Sequence, residues 1–140
     1  MIVLIDTCVI LDALQKREPF WEDAAKIFLA AANEKYQGII TAKALTDIYY
    51  LTHRYTHDQK KTRDILLRLL ELFFVEDTLA EDCKKAFFSE TSDYEDAVMI
   101  ETAKRIKADV IVTRNLRDYK KETAIPVMEP EWFLRELCGQ

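Results

Sequence analysis

Glycine and proline are scarce in this sequence, which has two glycines and three prolines among its 140 residues. Disordered and low-complexity chains usually have many more of these residues and fewer apolar ones. Here apolar residues make up 49% of the chain, enough to build a core. A chain of this length buries roughly two-thirds of its unfolded surface, so we expect one folded domain over residues 1–140.

The cysteines are also few, and their spacing argues against a zinc site or a disulfide framework. Cys8, Cys83 and Cys138 are an odd number of thiols, with no CxxC pair and no cysteine–histidine spacing typical of a metal site. No apolar run approaches the ~20 residues of a membrane span, and no basic segment opens the chain. We therefore expect a soluble cytoplasmic protein with reduced cysteines and no membrane partner.

An excess of positive charge is absent as well, because the formal net charge is −5. A protein that wraps duplex DNA without regard to its sequence normally has a basic surface, so this class is disfavoured. A nucleic-acid enzyme is still compatible with the charge, because metal ions held by carboxylates invert it locally. The one noticeable basic cluster, residues 57–63, is explained well enough by a solvated helix start.

The first twelve residues contain the strongest indication of a site. Residues 2–5 form an unbroken apolar run rich in β-branched side chains, which is typical of a strand buried on both faces of a parallel sheet. Asp6 follows at the carboxyl end of this strand, where open α/β sheets bind their ligands. The alternative is that Asp6 only caps the turn that follows it, residues 7–13.

The remaining apolar pattern predicts short strands separated by helices. Further strands are predicted at residues 38–41, 73–75, 110–112 and 125–128, the last at an edge because it contains a proline. Helices are predicted at about residues 19–33, 42–55, 57–72, 79–88, 92–106 and from 129 onward, in addition to a short one after the first strand. Asp58 is expected to cap the third of these helices, and Asp77 or Thr78 the fourth. This alternation favours a mostly parallel sheet with helices on both faces.

Acidic residues recur where such a fold brings strand ends together. Asp93 and Asp96 are spaced so that both can project from the first turn of one helix, although helix capping explains at least one of them. Residues 113–119 directly follow a predicted buried strand. This segment supplies a hydroxyl, a guanidinium, an amide and a carboxylate, from Thr113, Arg114, Asn115 and Asp118.

Parallel strands end at the same edge of a sheet, so Asp6, Asp96 and Asp118 could converge there. Carboxylates packed that closely repel one another, which should raise at least one of their pKa values. They coexist ionised chiefly around a divalent cation. Oxygen ligands without cysteine or histidine favour Mg²⁺ or Mn²⁺ over zinc.

Two segments together resemble the PIN-domain family, and in particular the VapC-like toxin ribonucleases of prokaryotic toxin–antitoxin pairs. These segments are IVLIDTCVILD near the start and SDYEDAVMIETAKRIKADVIVTRNLRDY near the end. The resemblance implies a doubly wound, three-layer α/β/α sandwich with a mostly parallel central sheet. It also implies a Mg²⁺- or Mn²⁺-dependent endonuclease of single-stranded RNA, a homodimer and a cognate antitoxin protein.

Matched by motif, the catalytic and metal-binding acids of the family fall on Asp6, Asp96 and Asp118. Asp93 is a candidate for an additional metal ligand. Asp47 stands where the family commonly has a glutamate on the helix after the second strand. Aspartate is one methylene shorter than glutamate, so we expect its contact with the metal to pass through water.

Neutral and basic residues beside these acids are expected to complete the site. Thr7, Thr113 and Asn115 could orient the attacking water or hold a scissile phosphate oxygen, and Asn115 departs from the aspartate that the family often has. Arg114 suits bidentate pairing with phosphate, and a surface ion pair is its alternative.

Two other functions compete with the nuclease. A haloacid-dehalogenase-like phosphatase also begins with an aspartate after an apolar strand, but it needs a second aspartate where this sequence has Cys8. A catalytically weak PIN-type module for RNA binding or protein interaction is favoured by Asp47 and Asn115. Some aromatic residues are expected at a dimer or partner surface: Tyr49, Tyr50, Tyr55, Phe73, Phe74, Phe87 and Phe88.

Overall fold

A central parallel sheet organises the structure, which is a computed structural model. It describes residues 1–91, 93–119 and 123–139, with the exception of the side chain of Asp118. The strands of this described part are β1 (Ile2–Ile5), β2 (Gln37–Thr41), β3 (Phe74–Glu76), β4 (Val110–Val112) and β5 (Val127–Met128). The helices are α1 (Thr7–Leu14), α2 (Trp21–Ala32), α3 (Ala42–Thr56), α4 (Gln59–Leu72), α5 (Ala80–Ala86), α6 (Tyr94–Arg105), α7 (Leu116–Tyr119) and α8 (Pro130–Cys138).

The described strands lie in the order β3-β2-β1-β4-β5, and every neighbouring pair is parallel. β1 and β4 are adjacent, with Leu4 paired to Ile111, and both residues are fully buried. The prediction that residues 2–5 and 110–112 form neighbouring parallel strands is therefore confirmed. The mostly parallel sheet that the sequence predicts is parallel throughout the described residues.

The helices form two layers, one on each face of the sheet. On one side α1 contacts α2 and α3, α3 contacts α4, and α2 contacts α8; on the other, α6 contacts α5 and α7. The chain moves outward from β1 to β3 in one direction and from β4 to β5 in the other, so right-handed crossovers place the intervening helices on opposite faces. The order reverses between β1 and β4, which opens a crevice at their carboxyl ends. Within the described residues, no helix has the length and apolar character needed to cross a membrane.

One local prediction is wrong, and one short helix was not predicted. Neither Asp77 nor Thr78 caps α5; instead the Asp82 carboxylate accepts the backbone N–H of Leu79 at 3.0 Å. The Thr78 hydroxyl is engaged elsewhere, because it accepts the backbone N–H of Lys43 at 3.2 Å. The helix α7 was not predicted, since one turn is too short to show helical periodicity. The predicted cap of α4 is confirmed, as Asp58 accepts the N–H of Lys61 at 3.0 Å.

The scarcity of glycine affects how the helices end. Positions with left-handed backbone angles, which glycine usually fills, are occupied here by Lys16, Glu34, His57 and Lys107, with φ of 49°, 54°, 54° and 56°. They close α1, α2, α3 and α6 respectively. Gly38 has a different role, because a Cβ at this position would lie 2.5 Å from the ring of Phe73.

Candidate active site

A cavity of about 240 Å³ opens at the carboxyl end of the sheet, between α3 and α6. Asp6 and Asp96 line it near the point where the strand order reverses, and Asp47 lines it from α3. A neighbouring cavity of about 420 Å³ shares Asp6 and Asp96 and is also lined by Arg114 and Asn115. The structure thus brings two of the three predicted central acids to one crevice.

Asp6 is buried at the junction of β1 and α1, and its two carboxylate oxygens have different partners. One oxygen accepts the N–H of Thr7 at 2.7 Å, which makes Asp6 the cap of α1. The other accepts the hydroxyl of Thr113 at 2.6 Å and the thiol of Cys8 at 3.5 Å. Among the described residues, no lysine or arginine forms an ion pair with Asp6. Capping and cavity lining are therefore both features of this residue.

The pKa of Asp6 is raised above its ordinary value by burial. Hydrogen bonds from Thr113, Cys8 and Thr7 lower it in turn but do not outweigh the loss of hydration. The sequence led us to expect a raised pKa from repulsion among clustered acids. The pKa of Asp6 is raised as expected, but the cause is burial and not repulsion by a neighbouring acid.

Asp96 lies at the start of α6 and is held by side chains from the segment that follows β4. The amide of Asn115 donates to one carboxylate oxygen at 2.8 Å, and the hydroxyl of Tyr119 donates to the other at 3.2 Å. Its own backbone N–H donates to the carboxylate of Asp93 at 3.1 Å. Asp93 therefore caps α6 and lies outside the lining of both cavities.

Tyr119 is a site residue that the sequence reasoning did not single out. It is fully buried, and its hydroxyl interacts with both Asp6 and Asp96. Burial, followed by the nearby charges of these two acids, raises the pKa of Tyr119 far above its ordinary value, so the hydroxyl remains a donor. Its position directly after Asp118, in the segment that follows β4, is the sequence feature that could have indicated a role in the site. The predicted convergence of the Asp118 side chain lies outside the described residues.

Asp47 lies on the wall of the cavity, where its carboxylate is paired with Lys43 of the same helix. The Lys43 ammonium also pairs with Glu95 of α6 at 3.1 Å, so one lysine joins the two helices that border the cavity. Burial would lower the pKa of Lys43, but the hydrogen bonds to Asp47 and Glu95 raise it. Sequence reasoning missed Lys43 and Glu95, although the Lys43–Asp47 spacing is that of a helical ion pair.

Arg114 forms the ion pair that was its alternative role, with a buried partner. Its guanidinium donates to both oxygens of Asp12, at 2.6 and 3.1 Å, and Asp12 is only 1% exposed. The same guanidinium stacks on the ring of Phe20, 4.0 Å from its centroid. Asp12 was also missed; its signal was an acid within an apolar helical run, a costly position unless the charge is paired.

Of the predicted neutral residues, Thr113 lies deepest and Thr7 is more open. Thr113 is fully buried, and its hydroxyl donates to Asp6 while accepting the N–H of Asn115 at 3.0 Å. It therefore links the supports of the two acids, because Asn115 in turn holds Asp96. Thr7 lines both cavities.

The donor set suits a hard divalent cation, although the described residues do not complete a metal site. Within residues 1–91, 93–119 and 123–139, no three side chains of histidine, cysteine, aspartate or glutamate group closely enough to hold a metal ion. Asp6 and Asp96 supply carboxylate oxygens, and the predicted third carboxylate, that of Asp118, lies outside the description. Asp6 is buried, has a raised pKa and pairs with no lysine or arginine among the described residues. A divalent cation would stabilise its charged form.

Three solved structures share the fold. Their sequence identities to this chain are so low that the similarity shows the fold alone. The VapBC2 complex of Rickettsia felis, bound to a DNA fragment from its promoter, is 18% identical with a TM-score of 0.65 and covers 92% of this chain and 98% of that one. A toxin–antitoxin complex from Klebsiella pneumoniae is 20% identical with a TM-score of 0.66, covering 91% and 97%. VapC20 of Mycobacterium tuberculosis, a toxin that cleaves the sarcin–ricin loop, is 13% identical with a TM-score of 0.61, covering 78% and 86%.

The sequence itself matches a family profile. No curated protein is significantly similar to the chain. The profile described as a PIN domain, however, matches residues 2–117, which include β1, β4, Asp6 and Asp96. The profile match over most of the chain and the parallel sheet with its acidic crevice agree, and the chain belongs to the PIN-domain family.

Proposed function

We propose that this PIN-domain protein is a divalent-metal-dependent endoribonuclease that cleaves single-stranded RNA, and that it is the toxin of a toxin–antitoxin pair. The observation that carries the proposal is the convergence of Asp6 and Asp96 on one crevice, where both interact with the buried Tyr119 hydroxyl. The structural neighbours support it, since two are toxin–antitoxin complexes and one is a toxin that cleaves the sarcin–ricin loop.

In this proposal some residues would hold the metal and others would orient the metal-holding carboxylates. Asp6, Asp96 and Asp118 would hold Mg²⁺ or Mn²⁺, which when bound supplies a more acidic water and a counter-charge for the leaving oxygen. Thr113 and the Thr7 N–H fix the orientation of Asp6. Asn115 and Tyr119 do the same for Asp96. These supports keep two carboxylates pointing into the crevice before RNA arrives.

The other predicted site residues take outer positions in this proposal. Asp47 acts at the cavity wall through its pair with Lys43, and Asp93 acts through the cap it provides to α6. Arg114 positions the strand end through Asp12, so its remaining N–H groups are the ones that could reach a phosphate.

A homodimer and a cognate antitoxin belong to the same proposal. Five of the seven aromatic side chains predicted at a partner surface are exposed in the structure, among them Phe74 at 60%, Phe87 at 74% and Phe88 at 89%. Tyr49 is partly buried and packs against the core. Phe73, by contrast, is 3% exposed and belongs to the core. Free Cys8, Cys83 and Cys138 agree with the proposed cytoplasmic location.

The decisive experiment is a cleavage assay on single-stranded RNA with Mn²⁺ or with EDTA. We expect wild type to cut only with Mn²⁺, and Asp6→Asn and Asp96→Asn to lose cleavage while remaining folded. Glu22→Gln, at an exposed acid on α2 that lines neither cavity, is the control and should cut like wild type. Wild type that binds RNA but never cuts it with Mg²⁺ or Mn²⁺ would instead favour the non-catalytic module.

A further inference from the structure

The exposed face of α3 carries basic and aromatic side chains that lead away from the candidate active site. Lys43, Tyr50 and Arg54 are spaced so that they lie along one face of the helix, and we call them the α3 stripe. Asp47 lies on the same face, where it pairs with Lys43. Lys43 and Tyr50 line the cavity that contains Asp6 and Asp96. The α3 stripe therefore begins inside the crevice and continues onto the surface.

The far end of the α3 stripe meets the basic cluster that the sequence singled out. Arg54 lies in the last turn of α3, and the turn that follows leads into α4. The first residues of that segment include His57, Lys60, Lys61 and Arg63, all exposed. In a chain of net charge −5, this places a group of basic side chains, with Asp58 among them, at the end of α3 that points away from the acidic crevice.

The side chains of the α3 stripe suit a ligand that has both negative charges and planar rings that can stack. Tyr50 is 61% exposed, and the guanidinium carbon of Arg54 lies 6.0 Å from its ring centroid. Among the described residues no carboxylate pairs with Arg54. The Lys43 ammonium pairs with two carboxylates, those of Asp47 and Glu95. Because an ammonium has three N–H donors, a third donor remains for a ligand.

We propose, on the basis of the proposed ribonuclease function, that the α3 stripe is the track along which single-stranded RNA enters the crevice. Tyr50 stacks on a base, Arg54 and the basic cluster bind phosphates, and Lys43 contacts the phosphate at the cavity mouth. Stacking and phosphate contacts are how single strands are held without sequence readout. From Lys43 to Arg54 the helix rises about 16 Å, the length of about five stacked nucleotides.

This track also answers an electrostatic requirement of the crevice. Asp6, Asp47, Glu95 and Asp96 all line the cavity, so it repels a polyanion. Basic groups must therefore attract the RNA, and the α3 stripe supplies them next to the acids because Lys43 and Tyr50 line the same cavity. Its charge is complementary to a polyanion rather than to a basic or purely apolar partner, and the exposed ring of Tyr50 favours a polyanion with bases that can stack.

The test measures binding separately from cleavage. Fluorescence anisotropy of a short, fluorescein-labelled single-stranded RNA of mixed sequence is followed in EDTA at several salt concentrations. Tyr50→Ala should weaken binding about tenfold with an unchanged salt slope, because it removes stacking and no charge. Arg54→Gln should weaken binding severalfold and reduce the slope of log K against log salt by about 0.7, the value for one phosphate contact on a single strand.

Matched controls are available in the same molecule. Tyr55 is 60% exposed on α3 but lies off the stripe, so Tyr55→Ala should bind like wild type. Arg135 stacks on Trp132 with 4.9 Å to the ring centroid, on α8, so Arg135→Gln should also leave affinity and salt slope unchanged. Circular dichroism confirms that each variant is folded.

The outcomes separate this inference from the nuclease proposal. RNA that is bound through Tyr50 and Arg54 but never cut would support the track and overturn the nuclease. RNA that is cut with the same KM by Tyr50→Ala, Arg54→Gln and wild type would overturn the track alone. A change of oligomeric state in Tyr50→Ala with unchanged RNA affinity would also overturn it, because Tyr50 would then contact a second copy.

Discussion

At the scale of single residues, Thr113 links the most parts of the candidate site. Its hydroxyl donates to Asp6 and accepts from the N–H of Asn115, and no water reaches it because the residue is fully buried. A hydroxyl that donates to a buried carboxylate stabilises its charged form and fixes its direction. The site therefore depends on a residue that does not face the cavity.

Replacing Thr113 by valine should remove this support at nearly constant volume. We expect RNA cleavage to fall about 10–100-fold, the usual effect of losing a group that orients a metal ligand. Stability should fall by about 1–3 kcal/mol, because the Asp6 oxygen loses its donor. Thr113→Ser keeps the hydroxyl and should retain most of the activity in the same assay. Equal activity of the valine and serine variants would contradict the role of the hydroxyl.

At the scale of elements, the contact between α5 and α6 depends on one buried acid. Asp82 is 1% exposed and accepts from Arg105 at 3.0 Å and from Thr102 at 3.0 Å. Burial alone would raise the pKa of Asp82, but the hydrogen bonds from Arg105, the Leu79 N–H and Thr102 outweigh it, so its pKa lies below the ordinary 3.8.

The lowered pKa of Asp82 predicts how stability changes with pH. The folded state favours the charged form, so this contribution is present above 3.8 and is lost as the pH falls through the folded pKa. Asp82→Asn should reduce the free energy of unfolding at pH 7 by about 1–3 kcal/mol, because Arg105 loses its carboxylate but stays partly exposed and still donates to the carbonyl of Asp77. Urea melts at neutral and acid pH should show a smaller difference in the free energy of unfolding between Asp82→Asn and wild type at acid pH.

The exposed pair on the same helix is the control for this prediction. Glu81 and Lys85 pair at 2.8 Å with both side chains more than half exposed. Glu81→Gln should therefore change the free energy of unfolding by less than about 1 kcal/mol at either pH. A gap between wild type and Asp82→Asn that is constant from neutral to acid pH would contradict the prediction.

The end of α6 offers a second prediction at this scale. Lys107 is exposed and adopts a left-handed backbone with φ of 56°. Lys107→Gly should increase stability by about 0.5–1 kcal/mol, since it relieves left-handed strain and costs some unfolded-state entropy. Lys104→Gly, inside the same helix, should decrease stability by about 1 kcal/mol. Thermal melts of the two variants should therefore shift in opposite directions; shifts of the same sign would contradict this reading of the helix end.

At the scale of the whole molecule, the parallel sheet and the reversal of strand order create the acidic crevice. Asp6 follows β1, while Thr113 and Asn115 follow the adjacent β4, and α6 presents Asp96 above them. Four carboxylates line the cavity with one lysine among the described residues. Stability of the whole fold should therefore respond to a divalent cation.

Calorimetric melts with Mn²⁺ and with EDTA measure this response. At a hundredfold excess of Mn²⁺ over its Kd, the free energy of unfolding of wild type should rise by about 2.7 kcal/mol. Asp6→Asn should lose most of this rise. In EDTA it should melt close to wild type, because asparagine keeps an oxygen for the Thr7 N–H and removes a buried charge. A wild-type melt that ignores millimolar Mn²⁺ would remove the physical basis of the metal site.

Much of the fold was predictable from local patterns. Unbroken apolar runs at residues 2–5 and 110–112 indicate strands buried on both faces, and helices between strands impose parallel pairing. These two rules place Asp6 and the residues after β4 at one sheet edge, as observed. Element ends were less predictable, because β5 is only two residues long and α7 is a single turn.

The sequence by itself determined the parallel sheet and the placing of Asp6 and Asp96 at one edge of it, because both follow from hydrophobic periodicity and strand order. The family resemblance came separately, from two sequence motifs. Only the tertiary structure decided which polar groups from different elements pair around the site. It pairs Lys43 with Glu95, Arg114 with Asp12, and Tyr119 with Asp96. Such pairs join different elements, and their distances depend on how helices pack across the sheet, which no spacing along the chain encodes.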